Sequence, residues 1–104
     1  MFYGILKILQ GVINLKEIII DGEIIEAKSQ VNEIFVKELG LPEYCGNNLD
    51  MIGECLDELK TPVEISFVNR DRMKLKFGRF ATVLSQMLKL AAKHNSKITY
   101  YESK

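Results

Sequence analysis

The sequence predicts an α/β domain in which a small three-stranded parallel sheet is packed with helices in two layers. Strand-like apolar segments alternate with amphipathic helical ones, the pattern of a parallel sheet with crossover helices. The 104 residues suit one domain with a single core. The 47% apolar and 27% charged residues are ordinary for a globular protein. No repeat, low-complexity run or linker divides the chain.

The first segment, residues 1–16, reads MFYGILKILQGVINLK. Phe2, Ile5, Leu6, Leu9, Val12 and Ile13 recur at helical spacing. An extra N-terminal element is expected, packed on a domain of residues 17–104 or used as a subunit contact; a membrane-surface helix is the alternative. Its apolar runs are too short to span a bilayer, and it lacks the basic start and cleavage site of a signal peptide. Ile18 to Ile20 then form a buried strand closed by Asp21-Gly22. Asp-Gly is also a hairpin signal, so a short return strand through Ile24 and Ile25 stays open. A helix follows, with Ser29 as cap, Val31, Ile34, Phe35 and Leu39 on one face, and Gly40 at its end.

Val63, Ile65 and Phe67 alternate with Glu64 and Ser66, giving a second strand with one covered face. Residues 70–79, RDRMKLKFGR, hold five bases and one acid. Met73, Leu75 and Phe77 alternate with Arg72, Lys74 and Lys76, which reads as a solvated edge strand or loop. A nucleic-acid patch or an intramolecular partner for an acidic surface are the alternatives. The last helix turns Phe80, Val83, Leu84, Met87 and Ala91 inward and ends at His94, where a cation suits the helix dipole. The segment KITYYE supplies the third strand.

Fourteen basic and fourteen acidic side chains cancel, so only their distribution can point to a partner. Between Glu43 and Glu58 there are five acids and no Lys or Arg. With Asn48 as cap, Leu49, Ile52, Leu56 and Leu59 form a core stripe. Asp50, Glu54, Asp57 and Glu58 lie opposite. The helix dipole favours Asp50 in the first turn, by about 0.3–1 kcal/mol, but not the three later acids. Gly53, at the edge of the acidic face, costs about 1 kcal/mol against alanine in a helix, and its missing bulk could admit a partner's side chain. Neither cysteine sits in a CxxC, so both are expected as reduced thiols of a cytoplasmic protein, with Cys45 exposed and Cys55 inert. The sequence shows no metal-ligand spacing, phosphate-cradling loop or catalytic triad. No enzyme, cofactor, metal or nucleic-acid partner is expected.

The stretch LPEYCGNNLDMIGECLDEL, residues 41–59, resembles the signature of the barstar family, intracellular inhibitors of secreted bacterial ribonucleases. Leu41, Pro42, Tyr44, Gly46, Asn48, Leu49 and Asp50, then Glu54, Cys55 and Leu56, carry the resemblance, which extends over about residues 17–102. It implies an inhibitor, not an enzyme, that plugs the active site of a basic, barnase-like ribonuclease, one to one. In that reading Tyr44 stacks on a catalytic histidine and Gly46 allows close backbone approach. Asn48 holds the loop and caps the helix, and Asp50 and Glu54 occupy phosphate positions. The family's principal aspartate aligns with Glu54, one methylene longer. Gly53 and Leu59 replace aromatics, and a further acid on the last helix has no clear counterpart at Lys89 or Leu90. These departures imply a different or weaker partner, or a barstar-fold module that binds another basic protein.

Overall fold

The computed structural model describes residues 15–104; the N-terminal element expected over residues 1–16 lies, up to residue 14, outside the described residues. The elements run β1 (Lys16–Asp21), α1 (Lys28–Leu39), a 3-10 turn (Glu43–Asn47), α2 (Leu49–Asp57), β2 (Val63–Val68), α3 (Arg70–Phe77), α4 (Arg79–His94) and β3 (Ile98–Glu102). The three strands form one parallel sheet with β2 in the middle. Ile18 stands opposite Ile65, which stands opposite Tyr100 on its other side. The expected fold class holds.

Strand periodicity dictates the packing. Ile18 and Ile20, Val63, Ile65 and Phe67, and Ile98 point to the core, whereas the alternate Ile19 and Tyr101 are exposed. Val31 and Phe35 of α1, Ile52 and Leu56 of α2, Met73 of α3 and Leu84 and Leu88 of α4 close the same cluster. Among the described residues no helix is long and apolar enough to cross a membrane.

Several local expectations are corrected. Residues 70–77 are the helix α3 rather than an edge strand or loop. Their alternation imitates a strand, but tertiary contacts set the conformation. The N–H groups of Arg70 and Asp71 donate to the carbonyls of Ser103 and Lys104. Lys76 Nζ donates to the carbonyls of Glu23 and Ile25. Of the apolar positions Met73 is buried, while Leu75 is exposed. The basic segment also serves internal acids, with Arg72 on Glu23 at 2.6 Å and Arg70 on Glu102 at 2.7 Å.

Helix α1 starts at Lys28 behind Ala27, so Ser29 is not its cap. Gln30 reaches back instead, and its Oε1 accepts from the N–H groups of Glu26 and Ala27 at 2.6 and 3.0 Å. No return strand follows β1: residues 22–24 turn, and the N–H groups of Ile24 and Ile25 both donate to the Asp21 carbonyl. Gly22 is required there, because a Cβ would lie 2.1 Å from the Asn69 carbonyl oxygen. In α4 the inward set is Ala81, Leu84, Ser85, Leu88 and Ala91. Val83, expected inside, is exposed, because the core stripe is centred one position further along.

Candidate functional site

The acidic surface is assembled from the 3-10 turn and α2. Leu41 N–H donates to the Val36 carbonyl at 3.0 Å, which pins the chain to the end of α1. The turn that follows presents Tyr44, which is 57% exposed. Asn48 then adopts extended backbone, and its Oδ1 accepts from Met51 N–H at 2.8 Å. That bond satisfies one of the free N–H groups at the helix start, so Asn48 caps α2 as its position predicts. Ile52 and Leu56 are fully buried, with Leu49 and Leu59 packed partly against the core. Asp50, Glu54, Asp57 and Glu58 consequently all lie on the exposed side.

The acids differ in their partners. Asp57 stands 3.7 Å from His94 Nδ1, an ion pair when the imidazole is protonated. Among the described residues no ion pair involves Asp50 or Glu54, whereas Glu23, Glu38 and Glu102 each face an internal Arg or Lys. Asp50 and Glu54 sit one turn apart and project the same way. Beside them runs a groove of about 480 Å³ bordered by α2 and by Val83, Met87 and Leu90 of α4. Leu90 is exposed there.

Both glycines of the predicted site have internal reasons. A Cβ on Gly53 would meet Met87 Cγ at 3.3 Å. Its missing side chain therefore seats α2 closely on α4, with Met87 against it, and Gly53 also lines the groove beside Asp50 and Glu54. A Cβ on Gly46 would lie 2.9 Å from Val36 Cγ2, so this residue brings the turn down onto α1.

The cysteines overturn the expectation of free thiols: Cys45 and Cys55 form a disulfide, and no described cysteine is free. The turn points the Cys45 side chain inward, where it is fully buried, against the flank of α2 that carries Cys55. Cys45 is therefore not the exposed thiol expected of a loop residue. The inference from reduced thiols to a reducing compartment lapses with it.

Two supports escaped the sequence reading. Asn95, buried after α4, donates from Nδ2 to the carbonyls of Leu56 at 2.9 Å and Leu59 at 3.1 Å. It thereby closes the C-terminal end of the acidic helix from another element. Glu102 accepts from Ser85 Oγ at 2.5 Å, Tyr100 Oη at 2.6 Å and Arg70 at 2.7 Å. Burial alone pushes its carboxyl up, but the three hydrogen bonds outweigh burial and hold it at about 2. Tyr100 is driven the other way, first by its own burial and then by the neighbouring Glu102.

A two-layer α/β domain that presents a capped acidic helix beside an exposed tyrosine turn is the class of protein this geometry defines. The family described as Barstar (barnase inhibitor) matches residues 15–100. The chain belongs to the barstar family.

Proposed function

We propose that this protein inhibits a basic, barnase-like bacterial ribonuclease by placing the turn and α2 over its active site, one to one. Membership of a family described as barnase inhibitors supports the reading. The observation that carries it is the exposed pair Asp50 and Glu54, without ion-pair partners among the described residues, beside exposed Tyr44 on an Asn48-capped helix. A ribonuclease site holds phosphates with cationic side chains, and two carboxylates one turn apart can take those positions through charge-assisted hydrogen bonds. Tyr44 supplies a flat apolar face for a histidine ring. Gly46 and Gly53 act indirectly, by seating the turn and the helix. The cytoplasm, where an escaped ribonuclease would do harm, is the compartment in which such protection is useful.

A second reading rests on the α4 border. Val83 and Leu90 give that border exposed apolar surface, which fits a barstar-fold module for another basic protein. A ribonuclease assay separates the two. Titration of barnase and of the host's secreted ribonucleases should show activity falling to zero at one equivalent. Capture of a basic protein without ribonuclease activity, and no inhibition, would favour the second reading.

A further inference from the structure

We infer that the Cys45–Cys55 disulfide is a redox-gated positioning element of the acidic surface, an inference that rests on the inhibitor reading above. Cys45 directly follows Tyr44, and Cys55 directly follows Glu54, so one covalent bond joins the two halves of the candidate interface across a Cα–Cα distance of 6.2 Å. The middle of the turn is otherwise held by one backbone bond, Cys45 N–H to the Pro42 carbonyl at 3.0 Å, and by the close seat of Gly46 on Val36. Cys45 is its only buried residue. Among the described residues no side-chain hydrogen bond involves Glu43–Asn47, and further anchors lie at the ends, at Leu41 and at the Asn48 cap. The disulfide is therefore the covalent tie that holds Tyr44 in place relative to Glu54, and a preordered turn binds more tightly than one that must be ordered on contact.

The gate is opened by a dithiol reductant. Its thiolate attacks the Cys55 sulfur, at the half-buried end of the bond, and Cys45 leaves as a thiolate that takes up a proton. The second thiol of the reductant then attacks the mixed disulfide and releases Cys55 as a thiol. The S–S bond of the protein is lost, the reductant becomes a disulfide, and two electrons and two protons pass to the cysteines. Disulfides of the cytosol are characteristically of this transient, redox-sensing kind.

The test compares the oxidised full-length chain, the same chain reduced with excess dithiothreitol, and Cys55→Ala. The variant removes the cross-link and the half-buried Cys55 sulfur while keeping the buried Cys45 side chain as a thiol. Amide exchange is followed by NMR and dissociation from barnase by surface kinetics. In the reduced chain and in Cys55→Ala, amides 43–47 should exchange roughly tenfold faster or more while strand amides stay protected. Barnase should leave both roughly tenfold faster, with the salt dependence of association unchanged and reoxidation restoring the slow rate. A cross-link that merely stabilised the fold would leave the off-rate of the folded protein unaltered. Unchanged exchange at 43–47, or an unchanged off-rate, overturns the inference. Absence of barnase binding in both redox states counts against the inhibitor reading, and the exchange arm still decides the positioning role.

Discussion

Asn95 is the side chain on which the far end of the acidic helix depends most. Its Nδ2 lies 2.9 Å from the Leu56 carbonyl, 3.1 Å from that of Leu59 and 3.4 Å from that of Asp57. Its Oδ1 accepts from Lys97 N–H at 3.0 Å. Two donor hydrogens and one acceptor thus serve about three good bonds, and the residue is buried. At roughly 1 kcal/mol net for each, with more where a buried carbonyl is left unpaired, Asn95→Ala should cost about 2–4 kcal/mol. Urea unfolding should show the loss as a lower midpoint with an unchanged slope.

Asn95→Asp sharpens the test. At neutral pH it sets a carboxylate against three carbonyl oxygens, so the variant should be at least as unstable as the alanine. Protonation restores a donor, which raises the folded-state pKa of this aspartate above its unfolded value of about 3.9. The stabilising contribution of the proton is then complete below that unfolded value and is lost as pH rises through the folded one. The deficit of the variant relative to the parent should shrink on acidification. An alanine variant within about 0.5 kcal/mol of the parent, or an aspartate deficit indifferent to pH, would refute the role given to Asn95.

Three further outcomes are expected. Glu102 has its pKa depressed from 4.5 to about 2, so its contribution to stability is present above 4.5 and is lost as pH falls through about 2. The loss is at most about 3 kcal/mol, and Glu102→Gln should flatten the acid limb of a urea-midpoint profile. Gly22→Ala forces a Cβ to within 2.1 Å of the Asn69 carbonyl oxygen and should destabilise by about 2 kcal/mol or more, seen as a lower melting temperature. Deletion of residues 1–14 should leave ribonuclease inhibition intact, because the family match begins at residue 15; an inhibition assay on the folded truncation checks this.

What the sequence discloses is what local spacing encodes. The alternation of Val63, Ile65 and Phe67 predicts their burial, and the stripe Leu49, Ile52, Leu56 and Leu59 predicts which side of α2 carries the acids. The Asn48 cap is legible because its partner, Met51, is three residues away. Legibility fails where distant parts of the chain decide. Asn95 bonds carbonyls 39 and 36 positions earlier, and no local pattern marks it. The disulfide needs a turn that points Cys45 inward, which the spacing of ten residues does not reveal. Gly53 is missing bulk in the sequence, but only the fold puts Met87 against it. At α3 two periodicities compete, and docking of Arg70 and Lys76 on the rest of the domain selects the helix.

The most direct measurement of the central claim is the affinity of Asp50→Asn, Glu54→Gln and Asp57→Asn for barnase, or for the ribonuclease captured from the host, at low and high salt. Each change removes one charge with almost no change of size, so packing is held constant. If Asp50 and Glu54 occupy phosphate positions, each loss strands a buried cation of the enzyme and should cost about 2–5 kcal/mol, mainly in the off-rate. The barnase–barstar pair is itself among the systems behind that range, so the figure is a benchmark rather than a derivation. Asp57, already beside His94, should behave as a rim charge and change chiefly the salt-dependent association rate. Equal, small effects at all three positions would contradict the account and remove Asp50 and Glu54 from the interface.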